Sequence, residues 1–355
     1  MQNFEMKRRK TNSFQIGNVG VGSDYPVSIQ SMTNTDTRNA EATLEQIRQL
    51  AEAGCQMVRV AVPDEEAAQA LKTICKESPV PVIADIHFNH RLALLAMEYG
   101  ISSLRINPGN IGSEEKVREV VNMAKGMGVP IRIGVNAGSL EKDLLERYQH
   151  PTAEALVESA MRHVRILEDL NFDQIKISLK ASDVPLMISA YRLMADKVSY
   201  PLHLGVTEAG NAKHGIVKSA VGIGTLLAEG IGDTIRVSLT GSPLQEIPVA
   251  KQILRSLDLY PKGVEIISCP TCGRTQIALE QLVDAVDQMV SKVDKPLKLA
   301  VMGCVVNGPG EAREADLGIA GGKGEGLIFR KGEIIKKVPE AQLLAAFQEE
   351  LDKLL

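Results

Sequence analysis

The stretch EATLEQIRQLAEAGCQMVRVAV, residues 41–62, contains one complete unit of the repeat that decides the fold. Apolar residues recur every three or four positions from Leu44 to Leu50, which predicts an amphipathic helix, and Gly54 ends that pattern. The run from Met57 to Val62 is short and β-branched, which predicts a buried strand. Helices that alternate with buried strands are typical of α/β folds with a parallel sheet.

The same alternation continues from residue 27 to residue 256. The predicted strands are Val27–Met32, Met57–Val62, Pro81–Ile86, Ser103–Asn107, Pro130–Asn136, Gln174–Leu179, Leu202–Val206 and Thr234–Leu239. The predicted helices cover residues 41–53, 64–77, 90–99, 113–127, 152–170, 184–197, 213–229 and 244–256. Eight strand–helix units within about 230 residues favour a TIM (β/α)8 barrel over an open doubly wound sheet.

A second, smaller domain is predicted after the barrel. Pro261-Lys262-Gly263 follows the last barrel helix, and we place the boundary so that residues 1–258 form the barrel and residues 259–355 the second domain. Its strands are predicted at Val264–Ser268, Leu297–Met302, Leu317–Ala320, Leu327–Arg330 and Ile334–Val338, and its helices near 276–292, 310–316 and 341–355. This order indicates a small α+β domain. A short hairpin, Phe14–Ile16 with Val19–Val21, is predicted before the barrel.

The composition argues against several classes of function. A formal net charge of -4 and the absence of Trp argue against a nucleic-acid-binding surface. The sequence has no apolar run of about eighteen residues, as a membrane span requires, and no apolar segment follows the basic residues near Met1, as a secretory signal requires. Five cysteines, an odd number, fit a reducing compartment better than a disulfide scaffold. We therefore expect a cytoplasmic protein.

Three of the cysteines lie in turn-rich segments of the predicted second domain. Cys269 and Cys272 form a C-x-x-C pair, and Cys304 and Glu311 lie together in GCVVNGPGE, residues 303–311. Two thiols at this spacing can bind one metal centre from a single turn, and Cys304 offers a third sulfur. Because a structural zinc takes four ligands, three thiols favour a catalytic metal or an iron–sulfur cluster with an exchangeable position. A zinc site and a buried thiol pair stay open as alternatives.

Polar and charged residues gather in the barrel strands and near their predicted carboxyl ends, where the active sites of TIM barrels lie. They are Arg59, Asp85, His87, Arg105, Asn107, Arg132, Asn136, Lys176, Ser178, Lys180, Thr207, Glu208, Arg236 and Ser238. Cations outnumber acids in this set, and buried cations need an anionic partner. The set therefore predicts a phosphorylated ligand, because Arg binds phosphate oxygens in a bidentate manner. Ion pairs within the barrel core are the alternative for any single residue, and we expect His203 to be a core residue.

Four motifs together resemble those of one known family. They are SCPTCGRT (268–275), GCVVNGPGEA (303–312), RINPGNI (105–111) and GVTEAG (205–210). The chain resembles, over nearly its whole length, the bacterial 4-hydroxy-3-methylbut-2-enyl diphosphate synthases of the methylerythritol phosphate route to isoprenoids. This resemblance implies a TIM barrel joined to a small iron–sulfur domain, without the extra domain of plant-type relatives.

The resemblance also implies an activity and a set of site residues. The enzymes of this family are oxidoreductases that open the ring of 2-C-methyl-D-erythritol 2,4-cyclodiphosphate and eliminate water. By resemblance, Cys269, Cys272 and Cys304 hold three irons of a 4Fe–4S cluster and Glu311 caps the fourth. Asp85 and Glu208 are the implied acids, with Glu208 favoured for proton delivery. The implied substrate-binding residues are Arg59, His87, Arg105, Asn107, Arg132, Asn136, Lys180, Thr207, Arg236 and Ser238.

The partners of the protein follow from the same resemblance. It implies a ferredoxin or a flavodoxin as the electron donor and a homodimer in which the cluster domain of one subunit covers the barrel of the other. The main alternative is a non-redox phosphosugar-binding barrel whose small domain is a zinc-stapled interaction module. A radical enzyme that cleaves S-adenosylmethionine is a weaker alternative, because the C-x-x-x-C-x-x-C spacing is absent.

Overall fold

The computed structural model describes residues 7–111, 113–260, 262–291, 293–304 and 312–355. The chain divides into two compact units, Met1–Tyr260 and Pro261–Leu355. The sequence places the boundary between residues 258 and 259, and the substrate and cofactor roles given to the two parts stay predictions. Within the described ranges, no helix is both long and apolar enough to cross a membrane.

The first unit contains a parallel barrel, which confirms the predicted fold class. Its strands are β3 (Ser28–Met32), β4 (Met57–Ala61), β5 (Val82–Asp85), β6 (Ser103–Ile106), β7 (Ile131–Asn136), β8 (Ile175–Lys180), β9 (His203–Leu204) and β10 (Thr234–Ile235). They are hydrogen-bonded in the order β8-β7-β6-β5-β4-β3-β10-β9. A parallel bridge between Ile177 and Leu202 joins the two ends of this order, so the sheet closes on itself.

Helices pack around this barrel. They are α1 (Ala40–Glu52), α2 (Glu65–Glu77), α3 (His90–Glu98), α4 (Pro108–Ile111), α5 (Glu114–Met127), α6 (Lys142–Tyr148), α7 (Ala153–Asp169), α8 (Val184–Lys197), α9 (Ala212–Ala228) and α10 (Glu246–Arg255). Side chains such as Asp64 and Thr152 accept hydrogen bonds from the first free amides of α2 and α7, which fixes where these helices begin. The sequence did not predict α4 or α6, and α6 buries only Leu144, which leaves no periodic signal.

The last two barrel strands are shorter than the predicted Leu202–Val206 and Thr234–Leu239. The amide of Arg236 still donates to the carbonyl of Leu204 at 2.9 Å, but the amide of Thr207 donates to Ala181, in the loop after β8, at 3.3 Å. The segment after β9 therefore leaves β10 and turns towards the loop that follows β8.

The predicted hairpin forms from β1 (Phe14–Ile16) and β2 (Val19–Val21). It lies at the amino end of the barrel. Its apolar side chains form a small core with Met57 and Ile83, which stand at the starts of β4 and β5. This apolar contact covers the amino end of the barrel interior, so the polar residues at the opposite, carboxyl end are the ones that a ligand can reach.

The second unit is a five-stranded mixed sheet with two described helices. Its elements are β11 (Val264–Ser268), α11 (Leu279–Val290), β12 (Leu297–Met302), β13 (Leu317–Gly321), β14 (Glu325–Arg330), β15 (Glu333–Pro339) and α12 (Leu343–Asp352). Strands β11, β12 and β13 are parallel, and the last two are antiparallel. The helix predicted near 310–316 lies partly outside the described residues, and its described part, residues 312–316, is a turn rather than a helix.

Candidate active site

A row of charged side chains crosses the barrel interior. Asp85 on β5 is in register with Arg105 on β6, Arg105 with Arg132 on β7, and Arg132 with Lys176 on β8. Side chains of in-register partners leave the same face of a sheet. The alternate residues of these strands, such as Ile133, belong to the apolar core shared with the helices. The charged row therefore points into the barrel.

Asp85 is the acid at the β5 end of this row. Arg105 Nη1 donates to Asp85 Oδ1 at 3.1 Å, while Arg59 Nε and His87 Nε2 each lie 3.6 Å from Oδ2. Burial alone would raise the pKa of Asp85, but the charge of Arg59, the hydrogen bond from His87 and the charge of Arg105 hold it well below its usual range. Gly134 leaves room for this arrangement, because a Cβ there would lie 2.5 Å from Arg105 Nε.

Arg236 is held by an acid that the sequence reasoning missed. Glu246, 3% exposed in the first turn of α10, places Oε2 3.5 Å from Arg236 Nε, within ion-pair range though without hydrogen-bond geometry. Glu246 also accepts from Ser31 Oγ at 3.0 Å and from the amide of Leu239 at 3.1 Å. Glu246 lies on a helix, whereas the sequence prediction considered polar residues in the barrel strands and near their carboxyl ends, so Glu246 was not predicted. The available sequence signal was an acidic residue in the first turn of a predicted helix, where a carboxylate is favoured by the helix dipole.

The structure contains two arginine clusters, one of Arg59 and Arg105 around Asp85 and one of Arg236 with Glu246. Met32 lies between them. Its sulfur accepts from Arg59 Nη2 at 2.9 Å and lies 3.6 Å from Arg236 Nη1. Burial lowers the pKa of Arg59 to about 10, against the raising effect of Asp85. The guanidinium groups of Arg59 and Arg236 therefore approach one another around a neutral sulfur, with one carboxylate on each side.

The site carries more buried positive charge than its acids can offset. Arg132 and Lys180 make no ion pair with an acid anywhere in the described ranges. Burial lowers the pKa of Lys180 well below its usual value, and the charges of Arg236, Arg59, Arg132 and Arg105 lower it further. These four charges are positive, which is the electrostatic setting of an anion site.

The predicted site residues of the barrel differ in their exposure to solvent. Arg59, Asp85, Arg105, Asn107, Arg132 and Lys180 are buried, and Asn136, Thr207, Arg236 and Ser238 are half-buried. His87 and Glu208 are exposed at the carboxyl end of the barrel. Glu208 has a φ of 51°, a left-handed conformation that a non-glycine residue adopts at a cost in free energy. Its side chain makes no ion pair or hydrogen bond with any described residue.

The thiols lie at the carboxyl ends of two neighbouring parallel strands in the second unit. Ser268, the last residue of β11, is in register with Val301 of β12. Cys269 follows the first strand directly, and Cys304 follows the second by two residues. The amide of Gly303 donates to Cys269 Sγ at 3.1 Å, so the sulfur of Cys269 lies beside the residue that precedes Cys304.

Cys272 belongs to a turn that packs on the same glycine. The amide of Thr275 donates to the carbonyl of Cys272 at 2.9 Å, and the amide of Cys272 donates to Thr275 Oγ1 at 3.3 Å. Gln276 donates to the carbonyl of Gly303 at 3.2 Å. A Cβ at Gly303 would lie 2.9 Å from Thr275 Oγ1, so a side chain there would displace the turn.

The predicted fourth ligand, Glu311, lies outside the described residues. Across the described part of the chain, no three His, Cys, Asp or Glu side chains form a group that could hold a metal ion. The ligand roles of Cys269, Cys272 and Cys304 therefore stay predictions, supported by the hydrogen bond between the two strand ends.

Two family models cover almost the whole chain. The GcpE TIM-barrel domain matches residues 11–251, and the GcpE protein C-terminal domain matches residues 265–353. The chain belongs to the GcpE family. This confirms the resemblance found in the sequence motifs.

Curated GcpE-family relatives are similar over their full length. One from Geobacter sulfurreducens is 62% identical and covers 98% of this chain and 99% of its own. One from Clostridium perfringens is 60% identical and covers 99% of each chain. Both are named 4-hydroxy-3-methylbut-2-en-1-yl diphosphate synthase (flavodoxin). Among solved structures, a dihydropteroate synthase from Xanthomonas albilineans is 11% identical, covers 70% of this chain and 99% of its own, and has a TM-score of 0.49, too distant to bear on function.

Proposed function

We propose that this GcpE-family chain is a 4-hydroxy-3-methylbut-2-enyl diphosphate synthase. It reduces 2-C-methyl-D-erythritol 2,4-cyclodiphosphate: two electrons and two protons enter, the ring opens, and one water leaves to give 4-hydroxy-3-methylbut-2-enyl diphosphate. The observation that carries the proposal is the surplus of buried cations in a barrel whose relatives, two of them 62% and 60% identical, bear the name of this activity. A cyclic diphosphate supplies the negative charge that these cations lack.

The diphosphate is bound by the cations that converge in the barrel. Arg132 and Lys180 have no acid partner in the described ranges, so phosphate oxygens are their natural counter-charge. Arg59, Arg105 and Arg236 are held by Asp85 and Glu246, which fixes the direction of their guanidinium groups before the substrate arrives. The polar residues at the rim complete the substrate site: His87, Asn107, Asn136, Thr207 and Ser238.

The two proposed acids have different roles. Asp85 is held ionised by the arginines around it, so it orients cations and cannot donate a proton near neutral pH. Glu208 is exposed at the carboxyl end of the barrel and is not tied up by any described cation. We assign proton delivery to the leaving hydroxyl to Glu208.

The second unit fits a 4Fe–4S cluster by its donor set. Cys269, Cys272 and Cys304 are soft ligands suited to iron–sulfur chemistry, and the amide of Gly303 donates to the Cys269 sulfur, as amides do around such clusters. When bound, the cluster supplies electrons one at a time and a Lewis-acidic iron that lacks a cysteine ligand. Glu311 is the proposed exchangeable ligand at that iron.

The remaining assignments follow from the family. The relatives are named for flavodoxin, which makes a flavodoxin the proposed electron donor, with a ferredoxin as the alternative. We propose a cytoplasmic homodimer that binds neither nucleic acid nor membrane. A zinc-stapled phosphosugar-binding protein is the competing function, and nothing in the barrel favours it over the reductase.

The activity is tested by turnover. Anaerobically purified protein, reduced flavodoxin and the cyclodiphosphate are expected to yield 4-hydroxy-3-methylbut-2-enyl diphosphate, detected by mass spectrometry. Tight binding of the cyclodiphosphate without any product, in protein that contains zinc, would support the phosphosugar-binding alternative instead.

A further inference from the structure

Lys176 has no role in the proposed substrate site, although it lies on the same interior face. It is the in-register partner of Arg132, and only 1% of its surface is exposed. Within the described part of the chain, Nζ of Lys176 has no hydrogen-bond partner, and neither do Nε and Nη1 of Arg132. Two adjacent buried basic groups without partners are unfavourable if both carry a charge.

The buried carboxylates of the barrel do not offset this charge. Asp233 is the acid whose charge acts on Lys176. Its Oδ1 atom already accepts from Arg8 and from Thr11, each at 3.0 Å, and its Oδ2 atom accepts from the amide of Leu202 at 2.9 Å. Among the described residues, the other two buried carboxylates of the barrel interior are Asp85, which pairs with Arg59 and Arg105, and Glu246, which pairs with Arg236.

The groups that act on Lys176 from other barrel strands are mainly basic. Burial lowers the pKa of Lys176 most, the charge of Arg132 on β7 lowers it further, the charge of Asp233 raises it, and the charge of Arg59 on β4 adds a smaller lowering effect. His203 on β9 is a further basic neighbour, and the charge of Lys176 contributes to lowering the pKa of that imidazole. A guanidinium stays protonated in proteins, so the amine is the group that gives up its proton.

We propose that Lys176 is a positioning residue for the substrate diphosphate: it is uncharged in the ligand-free barrel and takes up a proton when the anion binds beside Arg132. This inference rests on the diphosphate site of the proposed function. An uncharged amine avoids the free-energy cost of a buried, unpaired charge in the ligand-free barrel. Once the anion is bound, its negative charge favours the ammonium form, which adds a cation beside Arg132 and strengthens binding.

The test is calorimetric titration of full-length, cluster-loaded protein with the cyclic substrate and, separately, with inorganic pyrophosphate. Titrations in two buffers of equal pH and different ionisation enthalpy give the number of protons taken up on binding. We expect Lys176→Met to take up about one proton fewer than the wild type. Its affinity is also expected to depend less steeply on pH, by up to about tenfold per pH unit. Lys116→Met, on the exposed side of α5, is the matched control and should behave as the wild type.

The outcomes separate this inference from the function on which it rests. Failure of both anions to bind the wild type would overturn the proposed diphosphate site itself. Binding with equal proton uptake in the wild type and Lys176→Met would overturn the role of Lys176 and leave the substrate site in place. Should Lys176→Met fail to fold, Lys176→Gln takes its place, and proton uptake on binding the cyclic substrate that equals that of the wild type contradicts the proposal.

Discussion

Arg105 Nη1 donates to Asp85 Oδ1 at 3.1 Å, and this bond ties β6 to β5 inside the barrel. Arg59 approaches the other oxygen of the same carboxylate at 3.6 Å. One acid therefore orients two of the cations that are proposed to bind phosphate. Because Asp85 is ionised, it can orient these cations but cannot donate a proton near neutral pH. Proton delivery is therefore assigned to Glu208.

Asp85→Asn is expected to change how stability depends on pH. The folded pKa of Asp85 lies well below its unfolded value of about 3.9, so the ionised carboxylate stabilises the fold at neutral pH. This contribution is lost as the pH falls below the unfolded pKa and towards the folded one. Urea unfolding at about pH 7 and about pH 2.5 should show a larger difference between wild type and variant at the higher pH. A difference that does not change with pH would contradict the assignment.

Glu208→Gln is expected to lower kcat by about 10²- to 10⁴-fold with little change in KM, the usual effect of losing a general acid. The measurement is steady-state turnover with reduced flavodoxin. Glu115→Gln, on the exposed face of α5, is the control. An unchanged kcat for Glu208→Gln would remove this residue from the proton pathway.

Arg105→Ala and Arg236→Ala are expected to raise the substrate KM by about ten- to a hundredfold. The reason is that each loses a charged hydrogen bond of about 1.5–3 kcal/mol to the diphosphate. Arg118→Ala, an exposed arginine of α5, should leave KM unchanged. If KM stays the same in both barrel variants while stability falls, the two arginines serve only as structural ion pairs with Asp85 and Glu246.

Gly303→Ala is expected to disturb the thiol site. The new Cβ would lie 2.9 Å from Thr275 Oγ1 and 3.1 Å from Leu279 Cδ2, so the turn that carries Cys272 must shift. Gly273→Ala, in the same turn, meets nothing within 4 Å and is the matched control. Iron content after anaerobic reconstitution should fall in the first variant and not in the second. Equal iron in both would show that the contact between the turn and the strand end is not needed for binding.

The barrel was predictable because its strands are short apolar runs between regular helical repeats. Elements without that signal were missed: α6 buries a single residue, Leu144. The predicted strands extend beyond Leu204 and Ile235, where β9 and β10 end. Local sequence does not reveal that the amide of Thr207 donates to the loop after β8 rather than to β10. Tertiary hydrogen bonding decided the outcome at these places.

The same limit applies to the candidate site. The two-residue period of a strand places Lys176 and Lys180 on one face of β8, and the sequence alone shows that period. It could not find Glu246, because that carboxylate reaches Arg236 from a helix. It also could not show that Asp85 is shared between Arg59 and Arg105, since ion-pair partners depend on side-chain geometry across strands.

The central claim is that the thiols of the second unit hold a 4Fe–4S cluster that makes a diphosphate-binding barrel a reductase. Iron and acid-labile sulfide analysis of anaerobically purified, full-length protein tests it most directly. We predict about four irons and four sulfides per chain, with the loss of most of this iron when Cys269 is replaced by Ser. Stoichiometric zinc without labile sulfide would contradict the account.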